Sequence, residues 1–214
     1  MNKKRRSLLI AMAGFTVSSS SVVAKSLMTT PRQSAGPFYP LELPLDDDND
    51  LTSIKGQSGK ARGKITDLTG RIIDINGRPL SGLRIEIWQC DANGRYRHPY
   101  ENANNPIDRY FQGHGNTITD TNGHYLFRTI RPIAYPGRTP HIHVAVFPNG
   151  EKPFVTQLYV KNEPGNSNDF LFKHVPLERR HLVVSDFVTS SHPDTDMKAS
   201  FNIVLNRRDG TPTS

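Results

Sequence analysis

Apolar and polar residues alternate along several short stretches of this chain. Leu83, Ile85 and Ile87 point one way, and Arg84, Glu86 and Trp88 interleave between them. A period of two is what a half-buried strand requires. Residues 71–75, 117–119, 124–129, His141–Phe147, Phe154–Val160 and 201–205 are further strand candidates. Asn-Gly pairs punctuate the chain at Asn76 with Gly77, Asn93 with Gly94, Asn122 with Gly123, and Asn149 with Gly150. Both residue types tolerate positive φ, which tight hairpin turns need. The pattern predicts an all-β fold, an antiparallel β-sandwich of roughly eight strands. Residues 169–188 are the least regular stretch and the place for a short helix, and no internal repeat is visible.

The 214 residues allow one domain or two small ones. The single cysteine, Cys90, excludes an intramolecular disulfide framework and any Cys-rich metal module. Residues 1–24 divide into a basic start (Lys3, Lys4, Arg5, Arg6), an apolar run from Leu8 to Val17, and Val22 and Ala24 before a cleavage point. This is the layout of a signal peptide, so the mature chain is expected to be exported, periplasmic or extracellular. The apolar run is too short for a permanent membrane span, and no other segment has the length for one. Arg5 and Arg6 before Ser7, Leu8 and Leu9 resemble a twin-arginine signal, with an ordinary secretory signal as the alternative. The leader carries four positive charges and no acid, which takes the net charge from +7 to +3. So weak a balance gives no case for nucleic acid. Residues 25–60 read as a polar, Pro-rich lead-in, and 61–214 as the sandwich domain. Asp46, Asp47, Asp48 and Asp50 lack the ligand spacing of a calcium loop and read as a solvated run.

The sharpest chemistry lies in YPGRTPHIH, residues 135–143. On a strand His141 and His143 project from one face, which makes half of a metal site or an ordinary pair of surface histidines. Tyr135 is held near that strand by Pro136 and Pro140, and Tyr96 follows the Asn93 turn. No carboxylate or cysteine accompanies the histidines in this segment. A phenol with its usual pKa near 10 becomes a ligand when a trivalent cation holds it as phenolate, and such hard donors favour ferric iron.

Together these residues resemble the intradiol ring-cleavage dioxygenases. The resemblance starts at TPRQSAGPFY (30–39) and runs through GRIID (70–74), IWQ (87–89), GRY (94–96), FQG (111–113), GHY (123–125) and FRT (127–129). It continues through residues 135–143 and ends at TQLY (156–159). It implies a sandwich whose long loops form an Fe(3+) site with Tyr96, Tyr135, His141 and His143 as ligands. Tyr96 and His141 would be equatorial, Tyr135 and His143 axial. It implies Arg138 as a catalytic and substrate-binding residue, Gln157 as a substrate-binding one, and Tyr135 as the ligand an incoming catechol displaces. Substrate would be a small aromatic diol with dioxygen, and product a cis,cis-muconate. The Tyr135–His141 connection is shorter than in protocatechuate dioxygenases, with Gly137 where those have a tryptophan. Residues 25–60 show no helical dimerisation segment, and self-association is left open.

Two other functions compete with this one. A non-catalytic exported binding module could use the same scaffold, but all four ligand positions and the arginine are present. A zinc or copper protein using His141 and His143 leaves both tyrosines unexplained. His98, His114, His124, His174, His181 and His192 are scattered. Trp88, Cys90 and Tyr159 read first as packing, and Gly36, Pro37, Phe38 and Tyr39 as pocket mouth or packing equally.

Overall fold

The computed structural model describes residues 26–206 apart from 44, 45, 47, 102 and 103, so the expected leader lies outside the described residues. The strands are β1 (Ile65–Asp74), β2 (Arg84–Trp88), β3 (His114–Ile118), β4 (His124–Ile130), β5 (His141–Phe147) and β6 (Phe154–Val160). After helix α1 (Phe170–His174) and a 3₁₀ turn come β7 (Val184–Ser185), β8 (Val188–Thr189), β9 (Met197–Ser200) and β10 (Ile203–Leu205). They form two five-stranded sheets.

In the first sheet β1 is central. It runs antiparallel to β4 on one side, and parallel to β9 and then β10 along the other. The second sheet has the order β3-β2-β5-β6-β7, antiparallel except at the parallel β6–β7 edge. The sheets are therefore mixed, not antiparallel throughout. Alternation of side chains is the same in both pairings, so the pattern does not report strand direction. Direction is set by long passages: α1 returns the chain beside β6 as β7, and the run on through β8 brings β9 beside β1. The first half of β1 is also longer than the pattern predicts, because its inward residues there include Thr66 and Gly70. The short helix expected within 169–188 is α1.

Leu68, Ile72, Phe127 and Ile203 of the first sheet meet Ile85, Ile87, Ile142, Val144 and Leu158 of the second in one core. Burying each such side chain stabilises by about 1.5–3 kcal/mol. The lead-in is woven into this body. The Thr30 amide donates to Val204 O (3.0 Å), the Gln33 amide to Val155 O (2.8 Å) and the Leu51 amide to Arg128 O (2.8 Å). Leu51 itself lies in the core.

Three of the four Asn-Gly turns share one construction. Asp74, Asp91 and Asp120 each stand two residues before the Asn, and one carboxylate oxygen accepts both the Asn amide and the amide after the Gly. The aspartate closes the turn that the Asn-Gly pair permits.

Candidate active site

The outer face of the second sheet carries the site. Trp88 is opposite His143 across β2 and β5. Gln157 is opposite His143, and Tyr159 opposite His141, across β5 and β6. An outer sandwich face commonly meets water. Here Trp88, His141, His143, Gln157 and Tyr159 are all at most 2% exposed, because the lead-in, two loops and α1 cover them.

The turn at Asp91 delivers Tyr96, and Gly94 within it has φ +75°. A Cβ on Gly94 would make only ordinary contacts, 3.4 Å from Ala134 O and 3.5 Å from Tyr135 Cβ, so it is the positive φ that calls for glycine where the two tyrosine loops meet. Tyr135 opens a tight turn in which the Arg138 amide donates to Tyr135 O (2.9 Å). Ring centroids of Tyr96 and Tyr135 are 5.4 Å apart, Tyr135 and His141 5.5 Å, His141 and His143 4.8 Å, and Tyr96 and His143 6.1 Å. All four expected ligands thus converge.

Their polar atoms are arranged as a donor set. His141 Nδ1 lies 2.7 Å from Thr139 O, so it donates there and leaves Nε2 as a lone pair. The Nε2 atoms of His141 and His143 are 3.2 Å apart. Adjacent ligands about 2.1 Å from one metal, at a right angle, stand about 3 Å apart. Tyr96 Oη and His143 Nδ1 are buried without a hydrogen-bond partner. Burial lowers the pKa of His141 to about 4 and that of His143 well below its ordinary value, which keeps both imidazoles neutral and ready to ligate. Burial, with Tyr135 alongside, pushes the Tyr96 phenol well above its usual value, and burial raises Tyr135 too. Phenols in this state need a cation to ionise them. No group of three or more His, Cys, Asp or Glu that could hold a metal occurs among the described residues. The site's donors are two imidazoles and two phenols, and they fit a metal.

Arg138 is fixed at three points. Its Nε donates to Asp169 Oδ2 (2.8 Å), its Nη2 to Gln157 Oε1 (2.6 Å), and its Nη1 to Tyr135 Oη (3.4 Å). Burial opposes its charge, but Asp169 together with Tyr135 and Tyr159 outweighs that and raises its pKa. Asp169 Oδ2 also accepts the Thr139 amide (3.0 Å), while Oδ1 caps α1 through the Phe172 amide (2.9 Å). Against burial, the Phe172 amide, Arg138 and the Thr139 amide hold this carboxylate below its usual range. Gln157 Nε2 donates to Ser34 O (2.9 Å), and Tyr159 Oη donates to Gln33 Oε1 (2.7 Å) with Gln157 Oε1 3.0 Å away.

The lead-in forms the roof. Phe38 stacks on Tyr96 with centroids 4.7 Å apart, and Tyr39 Oη donates to Glu86 Oε2 (2.8 Å). Glu86 Oε2 also meets His114 Nε2 at 3.2 Å. A cavity of about 740 Å³ borders Phe38 and Tyr96, with Leu41, Leu43, Ile54 and His114 in its wall. Sequence reasoning missed Asp169 and Glu86. The signal for Asp169 was available: an aspartate directly before the apolar run of residues 170–172 is a helix cap. Nothing in the pattern marks Glu86 off from a solvated strand residue.

A sandwich that gathers two tyrosines and two histidines on one sheet face points to an oxidative enzyme class, and known proteins place the chain within it. A dioxygenase family model matches residues 35–207. The protocatechuate 3,4-dioxygenase beta chain of Burkholderia cepacia is 35% identical over 175 residues, covering 77% of this chain and 74% of that one. Catechol 1,2-dioxygenase of Acinetobacter baylyi is 29% identical over 190 residues, covering 77% of this chain and 55% of that one. The dioxygenase domain of a dioxygenase carbohydrate-binding protein fusion from Streptomyces sp. SirexAA-E superposes with a TM-score of 0.65 at 28% identity, over 85% of this chain and 100% of that domain. The chain belongs to the intradiol ring-cleavage dioxygenases.

Proposed function

We propose that this chain is a ferric enzyme that uses dioxygen to open a catechol-type ring between its two hydroxyl-bearing carbons, giving a cis,cis-muconate. The observation that carries this reading is the convergence of Tyr96, Tyr135, His141 and His143, with the two Nε2 atoms 3.2 Å apart and the Tyr96 hydroxyl buried without a hydrogen-bond partner. A neutral zinc-type histidine pair would leave the Tyr96 hydroxyl stranded; a hard trivalent ion turns it into a ligand.

Ferric iron held by Tyr96, Tyr135, His141 and His143 would supply a Lewis-acidic, redox-active centre for the reaction of the diol ring with dioxygen. Tyr96, deep under Phe38, serves as the permanent anionic donor. Tyr135 is half-buried, and its oxygen faces Arg138. It would be the more accessible of the two phenolate donors, and its Oη is placed to hold a proton given up by the diol. Arg138 remains charged and stabilises negative charge on the diol oxygens. Gln157 has both ends of its amide engaged, so it acts by holding Nη2 of Arg138. Phe38 and the lead-in exclude water from Tyr96. The short connection at Gly137 leaves room beside Tyr135, and the substrate class is catechol or a ring-substituted catechol. Export rests on the leader alone, and N-terminal sequencing of the protein recovered outside the cytoplasm tests it.

The experiment is turnover of catechol, protocatechuate and hydroxyquinol by the iron-loaded protein under isotopically labelled dioxygen. Both labelled atoms should appear in a ring-opened dicarboxylate from at least one of them. Failure with all three by a protein that holds iron would overturn the substrate class. Arg138→Ala should lower kcat by about 10²–10³. Unchanged turnover with iron retained would remove Arg138 from catalysis.

A further inference from the structure

The two histidines are held in different ways. A metal-binding imidazole usually donates its second ring nitrogen to a carboxylate, carbonyl or water, which fixes tautomer and ring orientation. His141 does so through Thr139 O at 2.7 Å. His143 does not, because its Nδ1 is buried with no acceptor. Its ring instead lies flat on the Trp88 indole, with centroids 4.8 Å apart and planes 7° from parallel. From the lead-in, Gly36 (φ +71°) comes so near that a Cβ there would stand 3.4 Å from His143 Cε1. Tyr39 in turn packs edge-on against Trp88 at 5.0 Å and 89°, and its hydroxyl is tied to Glu86.

We infer that Trp88 is the positioning residue of His143, replacing by ring stacking the hydrogen bond that this imidazole lacks. The χ2 torsion of histidine has broad wells, so a ring without a hydrogen bond needs a wall to hold it. An indole face supplies one at a favourable stacking distance. Trp88 reads on sequence as plain core packing, yet it lies on the site face of β2, away from the core. The inference rests on the ferric site proposed above, and its test separates the two.

Trp88 is the chain's only tryptophan, so its emission reports on this stack alone. Ferric ion titrated into the metal-free mature protein should quench that emission in step with growth of the visible tyrosinate band. No band and no quenching in the unsubstituted protein would overturn the ferric site itself. Trp88→Leu should bind iron about 10–100-fold more weakly, the cost typical of losing a group that orients a ligand, and shift the band. Trp88→Phe, which keeps an aromatic wall, should recover most of the affinity. In metal-free protein the His143 ring protons should be shifted upfield by the indole, and Trp88→Leu should remove that shift. Equal affinity and an unmoved band in Trp88→Leu, with the parent protein loading normally, would overturn the positioning role. Should Trp88→Leu fail to fold, the metal-free parent and Trp88→Phe decide. Upfield-shifted His143 ring protons in the parent, with affinity largely kept in Trp88→Phe, support the inference, and unshifted protons in the parent overturn it.

Discussion

The two faces of the sheet β3-β2-β5-β6-β7 come from the same strands and are both buried, yet their atoms are served differently. On the core face Ile85, Ile87, Ile142 and Val144 need only contact, and the first sheet supplies it. On the site face His141, His143 and Gln157 carry polar atoms, and the Tyr96 hydroxyl packed beside His143 is buried without a hydrogen-bond partner. An unmet polar atom in a core costs about 1–3 kcal/mol. A fold that keeps one beside two Nε2 atoms 3.2 Å apart is shaped for a group that joins it. Stability therefore resides on one face and chemistry on the other, and substitutions should separate them.

The largest effect should come from Tyr96→Phe. It deletes a ligand oxygen and should abolish stable iron binding, seen by metal analysis. It also deletes a buried hydroxyl without a partner, so the metal-free protein should melt no lower, and by about 1 kcal/mol higher in denaturant titration. A metal-free variant clearly less stable than its parent would break the contrast. Ile87→Ala on the core face should do the reverse. It should cost about 2–5 kcal/mol of stability while the folded fraction still binds iron.

Acid should act on the site face next. The histidine pKa values are lowered in the folded state, so unfolding takes up protons once the pH drops below the ordinary histidine value. Stability of the metal-free protein is then complete above about pH 6.5 and falls toward pH 4, by about 3 kcal/mol for His141 alone. Iron should flatten this slope, because a bound ligand nitrogen cannot take up the proton. An equal slope with and without iron would show that other groups dominate. The smallest effect belongs to neither face: breaking the exposed Lys161–Asp186 pair (2.7 Å) should cost no more than about 1 kcal/mol and leave iron binding unchanged.

Much of the site was legible in the chain and less of the topology. Tyr135, Arg138, His141 and His143 are close in sequence, and a strand's alternation places the two histidines together without further information. Tyr96 was legible through the Asn93 turn before it. Strand existence was legible where inward residues are apolar, as in β5 and β6, and lost where Thr66 and Gly70 point inward in β1. Strand direction was not legible, since the parallel pairs of β1 with β9 and β10 depend on where a long connection returns. The supports of the site were hardest to see. Asp169 lies 31 residues from Arg138 and Glu86 lies 47 from Tyr39, and such partners are set by folding rather than by local pattern.

The most direct test of the account is the visible spectrum and metal content of the purified mature protein, before and after anaerobic catechol, beside Tyr96→Phe and Tyr135→Phe. The account predicts about one ferric ion per chain and a tyrosinate-to-iron band that moves to longer wavelength when catechol binds. It predicts loss of the band's intensity in each variant. A colourless protein after ferric loading, or a band that neither tyrosine substitution changes, would contradict it.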